Sequence, residues 1–475
     1  MLRETKLGTE EGHESSKFDD DGRVKRTGNV LTASGHIITA VIGSGVLALA
    51  WAVAQLGWIA GIGSLLAFSL ITWFTSTLLA DCYRSTDGNR NYNYMEVVKS
   101  NLGGFRVQLC GLAQHSIFFG ASVGYSITTS ISMVAMKRSI CFHKKGHEAG
   151  CHMSNNPSIL TFGLIQIVLS QIPNYEKLSG LSLIAAVMSF TYSFIGLALF
   201  IAKISDFVDI EGGHVETSLT GIPIGNNMSS MDKMWNTFNA LGNIAFAYSF
   251  SPVLIEIQDT LKSGVPENKV MKQATLIGIS ISTMFYMLCG VLGYAAFGNN
   301  APGNFLTGFG FYEPFWLIAF ANLCIVIHLV GAYQVYSQPL FVFVETWSRE
   351  KWQESSFITT EYPIHFPFCG SFNLNLFRLV WRTCYVICTT VLAMLFPFFN
   401  DFVGLLGAIT FWPLTVYFPI EMYIAKSKIP KFSFKWIWLQ ILSGICLIVS
   451  LLAAVGSIEG LVISVGRFKP FHSVS

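Results

Sequence analysis

Thr39-Ala40-Val41-Ile42-Gly43-Ser44-Gly45-Val46-Leu47 lies halfway along an apolar segment that runs over Val30–Gly57. Gly-Ser-Gly at the middle of such a segment weakens a helix and lets its backbone approach a neighbour closely. Taken alone, the motif reads equally well as a small-residue contact between helices. A second interruption changes the balance: Asn243-Ile244-Ala245-Phe246-Ala247-Tyr248-Ser249-Phe250-Ser251-Pro252 falls at mid-depth of the sixth apolar segment. Pro252 removes a donor and its ring clashes with the carbonyl four residues back, near Tyr248. Hydrocarbon does not tolerate free main-chain groups, so both breaks must line a polar cavity or be covered by protein.

The composition demands a lipid environment. Of 475 residues, 52% are hydrophobic and only 12% charged, about half the charged fraction of a soluble domain. A net charge of +2 without a basic run excludes nucleic acid as a partner. A span needs about 20 apolar residues, and eleven segments qualify, which makes an all-α polytopic protein in contact with membrane lipids. They are Val30–Gly57, Ile59–Cys82, Val107–Met136, Ser158–Ile172, Leu178–Ala202, Met234–Leu261, Val270–Phe297, Pro314–Trp347, Leu376–Phe396, Phe402–Ala425 and Trp436–Val455. The division expected is a disordered tail over residues 1–28, a five-helix unit over 29–203, a loop over 204–233, a second five-helix unit over 234–425, and an eleventh helix with the C-terminal end over 426–475.

Charge sets the orientation. With the N-terminus in the cytosol, the inner segments carry 22 Lys and Arg and the outer ones 8, as the positive-inside rule requires. The C-terminus is then extracellular. The sequon Asn227-Met228-Ser229 falls outside, as does the pair Cys141 and Cys151, where a disulfide can persist. No His/Cys cluster has metal-site spacing, so neither a metal nor a resident cofactor is expected. The ten His are scattered, which argues against an enzyme.

Spans one and six each open a five-helix unit, and in this topology the two units are inverted. Interrupted helices at matching positions of inverted units point to a transporter's central site. A zwitterion suits it. The amides of Ser44, Gly45 and Val46, at a half-helix N-terminus, suit a carboxylate. Freed carbonyls near Val41, Ile42 and Gly43 and across Ala245–Ala247 suit an ammonium group.

The run His36-Ile37-Ile38-Thr39 through Leu47, followed by Ala50-Trp51-Ala52, closely resembles plant amino acid permeases of the amino acid/auxin permease family. So do Pro252-Val253-Leu254-Ile255-Glu256-Ile257-Gln258-Asp259-Thr260 and Ile327-His328-Leu329-Val330-Gly331-Ala332-Tyr333-Gln334-Val335-Tyr336. The resemblance implies the leucine-transporter-type fold of five plus five inverted helices, with helices 1 and 6 broken and an eleventh added. It implies proton symport of neutral and acidic amino acids at a plasma membrane, with Phe246, Ala247, Tyr248 and Ser249 facing the substrate. Auxin or another small carboxylate on the same fold, and an amino acid receptor, are the competing readings.

Ionisable side chains inside spans are costly and default to functional candidates. His36 and His328 can titrate near neutrality and load a proton; each can equally be a neutral imidazole joining helices. Glu256, a turn after Pro252, is either a proton carrier or a clamp on a freed amide. His115, Asp259, Glu345 and Glu421 read as structural or helix-ending. Around His328, Ala321–Ile327 contains no Ser or Thr, which disfavours a sodium site built on hydroxyls and leaves protons as the coupling ion.

Overall fold

The computed structural model describes residues 18–146, 150–172, 179–209, 215–225, 228–309, 315–366 and 370–467. Thirteen helices carry the fold. The first six are α1 (Val30–Val41), α2 (Leu49–Cys82), α3 (Phe105–Lys145), α4 (Asn156–Ser170), α5 (Ser179–Asp209) and α6 (Ser230–Ala247). Then come α7 (Ser251–Asp259), α8 (Glu267–Phe297), α9 (Phe315–Lys351), α10 (Leu376–Leu395), α11 (Phe399–Thr410), α12 (Phe418–Lys426) and α13 (Phe434–Arg467).

Nine described segments are long and apolar enough to cross a membrane. One of them, Ser44–Cys82, is two spans meeting at Gly57, whose φ of 77° turns the chain. A side chain there is excluded as well, because a Cβ would lie 2.1 Å from the main-chain nitrogen of Gly221. The short apolar α4 makes the eleventh span. Span one is therefore α1, a 3-10 turn over Ser44–Ala48, and α2 up to Gly57. Span six is α6 plus α7.

The packing repeats under exchange of spans one with six, two with seven, three with eight and five with ten. Helix α1 packs on α8, and α6 packs on α2; α5 packs on α9, and α11 packs on α3. Such correspondence is what an inverted internal repeat produces.

Three features depart from the sequence reading. The chain is not wholly helical: β1 (Glu361–Phe366) and β2 (Gly370–Asn375) form an antiparallel hairpin between spans eight and nine, with Glu361 opposite Asn375. Span ten is also irregular, because Phe411–Tyr417 around Pro413 winds as a π-helix between α11 and α12. Helix α3 runs on to Lys145, so Cys141 sits in its last turns rather than in a loop. The disulfide to Cys151 is formed, with the Cα atoms 6.1 Å apart. Asn227 lies outside the described residues.

The described stretch ahead of α1 is folded as well. Residues 18–28, expected to close a disordered tail, form a turn held by ion pairs. Arg26 meets Asp21 at 2.7 Å, Asp259 at 3.0 Å and Asp19 at 3.2 Å. Asp20 meets Arg90 at 2.7 Å and Arg84 at 2.8 Å, and Glu267 meets both arginines. Gly28 bonds Thr260 and Lys262 through its main chain, at 2.9 and 3.1 Å, which ties the start of α1 to the end of α7. Charges that read as solvated in the tail find their partners in loops far along the sequence.

Hydrogen bonding from Arg26, against a smaller burial penalty, holds the Asp21 carboxyl well below the usual carboxylate range. A depressed folded-state value stabilises fully above the unfolded value of about 3.9 and fades only as pH falls through the folded one. The turn therefore keeps its full strength between about pH 5 and pH 8. Arg26→Ala leaves three carboxylates facing one another and should destabilise the protein by about 2 kcal/mol, between exposed and buried pairs. Thermal unfolding of the purified protein checks this: the loss should be constant over that pH range, and Arg26→Lys should retain part of the stability.

Candidate functional site

The two helix breaks meet at the centre of the molecule. Helix α1 ends at Val41, Ile42 and Gly43 leave helical geometry, and a 3-10 turn starts at Ser44. Ser44 and Gly45 are its first two residues, so their N–H groups have no partner within it. The Val46 N–H bonds back to the Gly43 carbonyl at 3.3 Å. Ile42 and Val46 are fully buried, so their side chains pack into the core. Of the Val41–Gly43 carbonyls, that of Ile42 accepts no hydrogen bond among the described residues.

The second break follows the same logic. Helix α6 stops at Ala247, Tyr248 and Ser249 form a turn, and Pro252 stands in the first turn of α7. There its missing N–H costs nothing. The Ser249 hydroxyl donates to the Ala245 carbonyl at 2.7 Å, and the Tyr248 hydroxyl reaches Thr283 at 3.3 Å. Phe246 and Ser249 are half-buried, whereas Ala247 and Tyr248 are buried. The breaks are in contact: a Cβ on Gly45 would lie 2.8 Å from Ala247 Cα. Close approach, rather than an unusual φ, is what requires glycine at position 45.

The sequence did not single out Tyr286. From the middle of α8 its hydroxyl reaches the carbonyls of both Val41 and, at 3.0 Å, Ala247. Its signal was only a tyrosine at mid-span, where a phenol needs a partner.

Among the three proton candidates, the structure brings only His328 to the break. It is buried in α9, and its Nδ1 lies 2.8 Å from the Ala185 carbonyl of α5. A carbonyl only accepts, so Nδ1 carries a proton, which leaves Nε2 as the nitrogen that can take up or release a second one. Nε2 stands beside the first break: a Cβ on Gly43 would lie 3.7 Å from it. Tyr192 of α5 packs against the imidazole with ring centroids 5.9 Å apart. His36 is exposed on α1, seven residues before Gly43. Glu256 is exposed on α7, with no hydrogen-bond partner among the described residues and with Tyr336 of α9 within electrostatic reach.

The residues read as structural mostly are so. Asp259 accepts from Tyr83 at 2.5 Å as well as from Arg26. Glu345 binds buried Arg382 at 2.6 Å. Glu421 accepts from Gln440 at 2.7 Å, and His115 stacks near Phe343. A further intramembrane carboxylate was overlooked. Asp401, in the first turn of α11, accepts from Asn239 at 2.5 Å and Ser464 at 3.0 Å, joining α11 to α6 and α13. Among the described residues, no cluster of His, Cys, Asp and Glu has the arrangement of a metal site.

Known proteins resemble this chain at two levels. The fold is similar to that of MhsT, whose crystal structure in complex with L-phenylalanine superposes with a TM-score of 0.53 over 92% of this chain and 100% of that one, at 11% identity. In sequence the likeness is far stronger. Amino acid permease 6 of Arabidopsis thaliana is 64% identical across 97% of this chain and 96% of its own length. Amino acid permease 1 of the same plant is 61% identical across 97% and 94%. A family model described as transmembrane amino acid transporter protein matches residues 26–463. The chain is a multi-pass membrane protein that belongs to the transmembrane amino acid transporter family.

Proposed function

We propose that this protein imports neutral and acidic amino acids across the plasma membrane together with protons, by alternating access around the two helix breaks. Its N-terminus is cytosolic and its C-terminus extracellular. The observation that carries the reading is the placing of buried His328 beside Gly43, next to the Ser44 and Gly45 amides, which have no hydrogen-bond partner among the described residues.

The amides receive the substrate carboxylate, and the Ile42 carbonyl receives its ammonium group. A proton taken up at His328 Nε2 places positive charge next to Gly43, where it attracts the carboxylate. By linkage, bound carboxylate then raises the affinity of His328 for the proton. Neither ligand is held as firmly without the other, which is the requirement for symport. Phe246 and Ser249, half-buried at the break, face the substrate side chain. His36, exposed on α1 before the first break, and Glu256, exposed on α7 after the second, offer stations for the proton on its way to the cytosol.

Current in voltage-clamped oocytes tests the reading, at about pH 5.5 and about pH 7.5, either side of the imidazole range. Inward current evoked by neutral and acidic amino acids should grow at the acid pH and ignore sodium. A requirement for sodium, or a response to auxin alone, would overturn it. His328→Ala should abolish proton-driven accumulation while sparing exchange of substrate already bound; an unaltered pH profile would remove His328 from the mechanism. Gly45→Ala should reduce uptake at least tenfold at normal surface expression, because the added methyl drives the breaks apart. Isotope uptake together with surface labelling checks that outcome.

A further inference from the structure

Helices α1 and α6 enter the centre from opposite sides, and each ends there with its C-terminal carbonyls. Val41 is the last residue of α1, and Ala247 the last of α6. A helix C-terminus carries a partial negative charge of about half an electron, so two such ends brought together repel. Gly45 and Ala247 hold them close all the same. Between the ends sits the hydroxyl of fully buried Tyr286, bonded to the Val41 carbonyl, which also accepts from the Gly43 N–H at 2.9 Å, and 3.0 Å from the Ala247 carbonyl. Tyr248 packs edge-on against the same ring, with centroids 5.2 Å apart.

We infer that Tyr286 is a positioning residue for the substrate site: its hydroxyl pins the carbonyl ends of the two broken helices to α8 and so sets the spacing of the main-chain groups that bind substrate. It also selects which carbonyls are offered. With those of Val41 and Ala247 engaged, the Ile42 carbonyl remains for an ammonium group. This assignment rests on the transport reading only for its effect on substrate, since the pinning of the breaks is a property of the chain itself.

Tyr286→Phe keeps the ring and deletes the donor. The loss of one buried hydrogen bond is worth about a factor of ten. The half-saturating amino acid concentration should therefore rise about tenfold at normal surface expression. Hydrogen exchange of the purified protein should quicken at residues 42–46 and 248–251 together. Tyr294→Phe is the control. It removes a hydroxyl from the same helix that bonds Ser218 instead, 2.7 Å from its N–H, and should alter neither readout.

Unchanged exchange at either break in Tyr286→Phe would overturn the inference, whatever the transport result. Faster exchange at both breaks in a protein that moves no amino acid would uphold the pinning and refute the transport reading instead. Should the Phe variant fail to fold, 3-fluorotyrosine at position 286 keeps the hydroxyl and makes it a stronger donor. Exchange at both breaks should then slow, and no change would count against the inference.

Discussion

In hydrocarbon every main-chain N–H and C=O needs a partner, and an unpaired group costs several kcal/mol. The whole structure is arranged around two places where that rule is under strain. Two helices stop at mid-membrane, and the main chain freed at their ends must be satisfied, yet not blocked if it is to bind substrate as proposed. Short internal bonds do part of this, from Val46 to Gly43 and from Ser249 to Ala245. A phenol from a third helix does the rest. What remains unbonded among the described residues, the Ser44 and Gly45 amides and the Ile42 carbonyl, is a small set with one donor end and one acceptor end. That polarity matches a zwitterion.

The surrounding helices supply the rigidity that such a site needs. Helix α10 is anchored by Arg382, which binds Glu345 of α9 and the carbonyls of Ser170 and Ile172 at the end of α4. Closer to the centre, Tyr385 reaches Ser122 of α3 at 2.9 Å, and Tyr333 joins Thr389 at 2.7 Å. These bonds connect α3, α4, α9 and α10 into a frame. His328 belongs to that frame, because α9 carries it and the Ala185 carbonyl of α5 orients it. The breaks belong to the other set of helices. His328 therefore sits at the seam between the frame and the interrupted helices.

Sequence reading reached the breaks because Gly-Ser-Gly and Pro252 act through local backbone chemistry, which adjacent residues reveal. It reached His328 because an ionisable group in an apolar span is costly wherever its partners lie. Cys141 and Cys151 were legible from their spacing and their shared side of the membrane. Tyr286 was not, since its role exists only once α8 is placed against carbonyls 245 and 39 residues away in sequence. Asp401 escaped for a similar reason: its partners Asn239 and Ser464 come from two other spans. The acidic run Asp19-Asp20-Asp21 looked solvated because Arg84 and Arg90, and the Asp259 that shares Arg26 with it, stand far along the sequence. The hairpin was hidden in a short stretch whose Tyr-Pro-Ile-His has no clear alternation.

The contacts divide the broken helices into two pairs. Helix α1 is joined to α7 by the Gly28 main-chain bonds and by Arg26 with Asp259, and it lies along α8. On the other side of the breaks, the 3-10 turn over Ser44–Ala48 packs against α6. The covalent chain passes from one pair to the other only at Ile42–Gly43 and at Tyr248–Phe250, the residues that hold or flank the proposed substrate. In the alternating access proposed above, α1 with α7 would move as one body, and the 3-10 turn with α6 as another. The hinge would then be the proposed binding site, and a substrate bridging the Ser44 amide and the Ile42 carbonyl would bridge the two bodies as the Tyr286 hydroxyl does. Differential contacts in the two states are what let a ligand shift a conformational equilibrium. Here they arise because the groups that bind and the groups that bend are the same few residues.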